Sequence, residues 1–234
     1  MHEIQLGILN KLLFAKELRY SDLKVDPSIE NNTFQFHLNK VIHAGYVLKN
    51  RNNLYELTLE GKKFATHIDT DKNQLVQRRK LSVRLFCDRM ANNQREVLVY
   101  TRLKHPFYGK QGFPAGKVQV GETFTDAAVR ELFEETGLKG KARLFNITHY
   151  LVKDATSSML LDDKLFLDFH IPNPTGQLTG NNEGKFEWIA LDSLPKWLEN
   201  PFDSAEAYLQ AFEIIDRRLD TVVFNEMEHL TDDF

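Results

Sequence analysis

Gly116-Lys117-Val118-Gln119-Val120-Gly121-Glu122, followed after seven residues by Arg130-Glu131-Leu132-Phe133-Glu134-Glu135-Thr136-Gly137-Leu138, is the stretch from which the rest of the chain is read. Between the two runs, Thr123 with Asp126 three residues later is a capping-box pattern that starts a helix. Gly137 ends it, because the residue just past a helix favours a left-handed backbone. On a helix so bounded, at about 100° per residue, Glu131, Glu134 and Glu135 gather within about 100° of arc. Like charges at that spacing destabilise a helix by a few tenths of a kcal/mol per pair, so the cluster is best tolerated beside a cation. Oxygen-only ligands suit a hard divalent ion, magnesium or manganese, rather than zinc. A bare Glu-x-x-Glu-Glu is more often a solvated helix face. The difference here is the preceding loop, Gly112-Phe113-Pro114-Ala115-Gly116 with Gly121, whose backbone can turn sharply and approach a ligand closely. Val129, Leu132 and Phe133 form a second, apolar face, expected to dock the helix onto a sheet.

This stretch resembles the Nudix box, G-x5-E-x7-R-E-U-x-E-E-x-G-U with U aliphatic, and every fixed position is filled. The resemblance implies a hydrolase acting on acid anhydrides, a pyrophosphohydrolase that uses Mg2+ or Mn2+ to cut a diphosphate linked to a nucleoside or similar group. It also implies roles. Gly116 would offer its carbonyl to the metal, Glu131, Glu134 and Glu135 would be side-chain ligands, and Arg130 and Glu122 would pair and orient the cluster. Relatives draw the general base either from the box or from a later loop. In Asn181-Asn182-Glu183-Gly184-Lys185-Phe186-Glu187-Trp188, Glu183 is the candidate and Glu187 the competitor. Many relatives have Gly-Gly where this chain has Ala115-Gly116. The extra methyl restricts the loop and removes no ligand.

The chain has 234 residues, 42% of them hydrophobic, and a net charge of −3, enough for one large or two small domains. No run of 18 apolar residues and no charged-then-apolar leader at Met1 is present, so a cytoplasmic protein is expected. A single cysteine, Cys87, excludes an intramolecular disulfide, and it reads as a small core residue. His105, His149 and His170 lack a shared metal-ligand spacing and are given surface or strand roles.

The polar segment 69–74 and the basic run Arg78-Arg79-Lys80 mark a linker over 71–80 between two domains, 1–70 and 81–234. In the first, Ile4, Ile8, Leu9, Leu12 and Leu13 recur at helical spacing, Ser21-Asp22-Leu23 starts a short helix, and Phe34, Leu38, Val41 and Ile42 mark a third helix ending at Gly45. Strands Tyr46 to Lys49 and Leu54 to Thr58 follow across a polar turn, then a helix from about Glu60 to Ile68. With Phe36-His37-Leu38-Asn39-Lys40-Val41-Ile42 and Tyr55-Glu56-Leu57-Thr58-Leu59-Glu60-Gly61, this order resembles small winged helix-turn-helix regulators. That resemblance implies a recognition helix over 33–44 carrying Gln35, Asn39, Lys40 and His43, and a wing whose Lys49 and Arg51 meet phosphates. Residues 1–75 hold ten Lys and Arg against nine Asp and Glu, a net of +1, which residues 76–80 raise to +4. DNA affinity rests on phosphate neutralisation, so DNA is a partner the charge supports only weakly.

The second domain reads as strands Val83 to Cys87, Glu96 to Thr101, Ala142 to Leu151, Leu165 to Ile171 and Phe186 to Ala190. Its helices are the box helix and two more, near Leu194 to Leu198 and Ser204 to Arg218. This α/β order (α+β in the broad sense) resembles the Nudix α/β/α sandwich with a mixed sheet, and the polar tail to Phe234 is expected to fray. Trp188 is assigned to the core and Asp162-Asp163 to an exposed turn. The loop from Tyr100 to Gly112 brings Arg102, Lys104, His105 and Lys110 to bind substrate phosphates, and Lys153 to Lys164 is read as a specificity loop. The substrate class is a nucleoside diphosphate derivative: a nucleoside diphosphate sugar such as ADP-ribose, a damaged nucleoside triphosphate or a dinucleoside polyphosphate. Two readings stand: a metal-dependent hydrolase with an accessory winged-helix domain, and a DNA-binding regulator whose Nudix unit senses a nucleotide metabolite. A homodimer is the default for either.

Overall fold

The computed structural model describes residues 1–75 and 79–232 and divides the chain into two compact units, Met1–Arg78 and Arg79–Phe234. Arg78, part of the basic run, lies outside the described residues. In the first unit α1 (Glu3–Leu13), α2 (Tyr20–Leu23) and α3 (Asn31–His43) precede an antiparallel hairpin of β1 (Val47–Lys49) and β2 (Tyr55–Leu57). Leu18 forms an antiparallel bridge with Tyr55 beside the hairpin. Ile8, Leu9, Leu12, Leu23, Phe34 and Leu38 are fully buried between these elements, the apolar periodicity turned inward. Next, α4 (Leu59–Ala65) is capped by Thr58, whose hydroxyl accepts from Gly61 N–H at 2.9 Å, and it stops short of the expected Ile68. Ile68 instead opens β3 (Ile68–Asp69), which pairs with β4 (Gln74–Leu75), so part of the expected linker is a hairpin.

The second unit is built on one mixed sheet. Its strands are β5 (Lys80–Ala91), β6 (Gln94–Arg102), β7 (Gln111–Gly112), β8 (Ala115–Lys117), β9 (Arg143–Asp154), β10 (Leu160–Pro172), β11 (Gly184–Ala190) and β12 (Val223–Thr231). The spatial order is β11-β6-β5-β10-β9-β12, with β10 parallel to β5 and β12 parallel to β9. The box helix α5 (Phe124–Thr136) covers one face; α6 (Leu194–Trp197) and α7 (Ala205–Arg217) cover the other. Cover on both faces explains why β5 is buried without a break from Ser82 to Asp88. Val83, Leu85 and Cys87 pack with Leu132 of α5, while Phe86 packs with Phe212 of α7. The expected α/β/α sandwich is the observed one.

The sheet is split where the site lies. β5 and β6 pair only near their turn, Asp88 to Ala91 against Gln94 to Val97; farther along, β8 takes Ser82 to Arg84 and β7 takes Tyr100 and Thr101. The parted strands leave a cleft that α5 can face through the layer. Several expectations are corrected. Residues 223–231 do not fray but form β12, hydrogen-bonded along β9. Asp162 and Asp163 belong to β10, with Asp162 buried and ion-paired to Lys80 at 2.9 Å and Lys164 at 3.0 Å. Most of 153–164 is therefore strand, and only 155–159 connects β9 to β10. Among the described residues no helix is long and apolar enough to cross a membrane.

Candidate active site

Thr123 caps α5 by accepting from Asp126 N–H at 3.1 Å, and Gly137 closes it at φ 72°. Of the expected apolar face only Leu132 is buried. Ala127, Ala128, Glu131, Leu132 and Thr136 are buried, whereas Val129 is at the surface and Phe133 is about half exposed under Lys139. Small Ala127 and Ala128 let the helix approach the sheet closely, which turns Glu131 inward and Phe133 outward.

Glu131 reaches the cleft because Gly116 has no side chain: a Cβ there would interpenetrate the Glu131 carboxyl. Arg130 organises the cluster. Its Nε and Nη2 donate to both oxygens of Glu122 at 3.0 and 2.7 Å, Nη2 also donates to the Lys117 carbonyl at 3.0 Å, and Nη1 donates to Glu131 at 2.8 Å and Glu134 at 2.9 Å. Such forked, charge-assisted bonds fix geometry as well as charge. The Arg130 bonds hold the Glu122 carboxyl below the usual range. Burial pushes Glu131 above it, with Arg130 opposing, and burial raises Glu135 likewise, against a 2.9 Å hydrogen bond from Asn181.

A cavity of about 500 Å³ opens on these groups, a size suited to a nucleotide-like ligand. Gly116, Glu131, Glu135 and Glu183 line one end, and Arg102 and Lys104 flank it. Glu134 is not in the wall; its exposed carboxylate turns to Arg130. Lys110 is not in the wall either. Of the two general-base candidates, Glu183 is at the cavity and pairs with Lys104, whereas Glu187 accepts from Trp197 Nε1 at 3.2 Å outside it. His149 and His170 take strand roles beside Asp163 and Asp88, and Trp188 packs partly buried under the Arg89 guanidinium. Cys87 is fully buried, which pushes its thiol pKa up. A larger cavity, about 660 Å³ around Asp88, Arg95 and Arg218, holds none of the box carboxylates.

Among the described residues no three His, Cys, Asp or Glu side chains already converge as a metal-ligand set. The donors nonetheless fit a hard divalent ion. Two carboxylates of raised pKa, Glu131 buried and Glu135 half-buried, face a cavity beside a backbone strand, every donor is oxygen, and Glu134 could join by releasing Arg130. The cavity is also lined by Arg84, Tyr150, Asp162, Lys164, Asp203 and His229 from five separate segments, of which only the 153–164 stretch was expected near the substrate.

On the first unit Asn39, Lys40, His43, Lys49 and Arg51 are exposed and Gln35 is half-buried. Gln35 donates to Asn39 at 2.8 Å, Lys40 lies over the Phe36 ring and Lys49 over Tyr55.

Residues 79–210 match the NUDIX domain family model. An ADP-ribose pyrophosphatase of Methanocaldococcus jannaschii is 32% identical over 145 residues, 61% of this chain and 83% of that protein. A mouse (Mus musculus) oxidized purine nucleoside triphosphate hydrolase is 37% identical over 93 residues, 37% of this chain and 57% of that protein. Among solved structures, a MutT protein of Bacillus halodurans superposes with a TM-score of 0.52 at 20% identity, covering 66% of this chain and 93% of that one. The NUDIX domain of Shewanella oneidensis NrtR, solved with ADP ribose, gives 0.52 at 16% identity, covering 68% and 99%. The carboxylate-bearing helix, the split mixed sheet and the family match agree: the chain belongs to the Nudix family and is a Nudix-type pyrophosphohydrolase.

Proposed function

We propose that the second unit is a divalent-metal-dependent hydrolase that cleaves the diphosphate of a nucleoside diphosphate derivative, such as a nucleoside diphosphate sugar, by attack of water on phosphorus. The observation that carries this reading is the pair of carboxylates, Glu131 buried and Glu135 half-buried, facing a nucleotide-sized cavity whose rim bears Arg102 and Lys104. Glu131, Glu134, Glu135 and the Gly116 carbonyl would hold magnesium or manganese. When bound, such an ion neutralises diphosphate charge and lowers the pKa of a coordinated water.

Arg130 and Glu122 lock the carboxylates in place. Arg102 and Lys104 bind phosphate oxygens, and Glu183 orients and deprotonates water. Substrates assayed with Mg2+ or Mn2+ should release nucleoside monophosphate or phosphate, and Glu131→Gln should abolish most turnover. Unchanged turnover in that variant would reject the site.

A second reading rests on the first unit, whose three helices and hairpin follow winged-helix order and expose Asn39, Lys40, His43, Lys49 and Arg51 on α3 and the wing. DNA binding by this unit is tested by salt titration on defined fragments. Equal weak binding to every sequence would count against it.

A further inference from the structure

We propose that the C-terminal strand β12 is a working wall of the substrate cavity and that His229 on it is a specificity-determining residue, hydrogen-bonding an uncharged polar group of the substrate beyond the diphosphate. The proposal rests on the hydrolase reading above. β12 lies wholly beyond residues 79–210, the part that matches the family model.

The register fixes the direction of its side chains. β12 runs parallel to β9 with Met227 opposite Tyr150 and His229 opposite Val152, and Asn225, Met227 and His229 are half-buried while Phe224, Glu226, Glu228 and Leu230 are exposed. Tyr150, Val152 and His229 all line the cavity that holds Glu131 and Glu135. Among the described residues neither ring nitrogen of His229 makes a hydrogen bond, so both can serve a ligand.

The surroundings select the kind of ligand. Lys164, across the cavity floor, is already committed to Asp162 at 3.0 Å and lies 5.0 Å from the centre of the Phe107 ring. Burial lowers the pKa of His229, and the charges of Lys110 and Lys164 lower it further against the pull of Asp203. A neutral imidazole offers one donor and one acceptor, which match a sugar hydroxyl or a base edge and serve a phosphate poorly. The aromatic surfaces of Phe107, Tyr150 and Phe166 beside it suit a flat base or the apolar face of a sugar ring.

The test compares wild type, His229→Leu, His229→Asn and the outward-facing control Leu230→Ala on ADP-ribose, ADP-glucose and GDP-glucose. Loss of one neutral hydrogen bond should raise KM about tenfold in His229→Leu with kcat within about threefold, and His229→Asn should recover part of it. Leu230→Ala should leave both constants unchanged. If the penalty differs between ADP-ribose and ADP-glucose, His229 contacts the sugar; if it differs between ADP-glucose and GDP-glucose, it contacts the base. KM and kcat unaltered in His229→Leu, or an equal fall of kcat on all three substrates, overturns the proposal. Calorimetric binding of ADP-ribose to wild type and His229→Leu separates the two readings. Absent turnover by wild type sinks the substrate reading, whereas equal binding by both proteins sinks the wall.

Discussion

Gly116→Ala tests whether the packed position of Glu131 is its working position. A Cβ at residue 116 would interpenetrate Cγ, Cδ and Oε2 of Glu131. To regain ordinary contact of about 3.5 Å, the carboxylate must move on the order of 1.5 Å. Arg130 Nη1, which holds both Glu131 and Glu134, would follow or lose a partner. Misplacement by about 1 Å can cost on the order of 100-fold in rate, so a fall of kcat of at least that size is expected with Mg2+ saturating. Overpacking should cost about 1–3 kcal/mol, leaving the unit folded. Steady-state hydrolysis of ADP-ribose beside thermal unfolding provides the assay, with Ala115→Gly as the control, because that change adds no atom near Glu131. A Gly116→Ala protein with kcat within about threefold of wild type would refute the reasoning, since Glu131 would then work from another position.

Three further outcomes are expected. Asp168 is fully buried and accepts both arms of Arg84 at 2.8 and 2.9 Å, plus Asn146 and Thr148, so Asp168→Ala strands a buried guanidinium. Unfolding of the second unit in urea should show a loss of about 3–5 kcal/mol, and a loss below 1 kcal/mol would mean that Asp203 alone suffices. Hydrogen bonds to Glu226 and Asp163 raise the His149 pKa above the ordinary value. Its stabilising contribution is thus complete below about pH 6.5 and fades as pH rises through the folded-state value, so the unfolding temperatures of wild type and His149→Gln should converge at alkaline pH. A gap independent of pH would contradict this. Finally, calorimetry should show ADP-ribose binding to Glu183→Gln with Mg2+ and not with EDTA; equal binding in both would remove the proposed metal.

What could be read in advance was what is written locally. The cap at Thr123 and the stop at Gly137 depend on residues close in the chain, as does the Arg130–Glu122 pair that the family resemblance implied, and each is observed. The helices and hairpin of the first unit were equally legible, because they are short-range. The rotation of α5 was not. Hydrophobic spacing favours Val129 and Phe133 inward, yet the close approach allowed by Ala127 and Ala128 decides the contact. The same holds for β12. Its alternation of polar and apolar residues reads as an unattached tail until β9 supplies a parallel partner, and two charged residues in sequence at Asp162-Asp163 read as a turn until Lys80 and Lys164 converge on Asp162 and Arg79 and His149 on Asp163. The inner cavity wall comes from strands far apart in the chain, so no spacing could announce it.

The charge around α5 limits which ligands either functional reading can admit. Glu122, Glu131 and Glu134 share Arg130, and Glu135 accepts from the neutral amide of Asn181. Four carboxylates against one guanidinium leave a surplus of negative charge, and burial has already raised Glu131 and Glu135. A diphosphate is itself an anion, so by Coulomb's law in a half-buried cavity it is repelled from the same wall that it must approach. Arg102 and Lys104 flank the carboxylates, and Lys104 is partly spent on Glu183. Entry of a diphosphate therefore calls for a cation of high charge between it and α5, whether the unit hydrolyses its ligand or only senses it. The two readings diverge after that step. A sensor needs the cation alone, while a hydrolase also needs a base at the cavity, and Glu183 is placed where Glu187 is not.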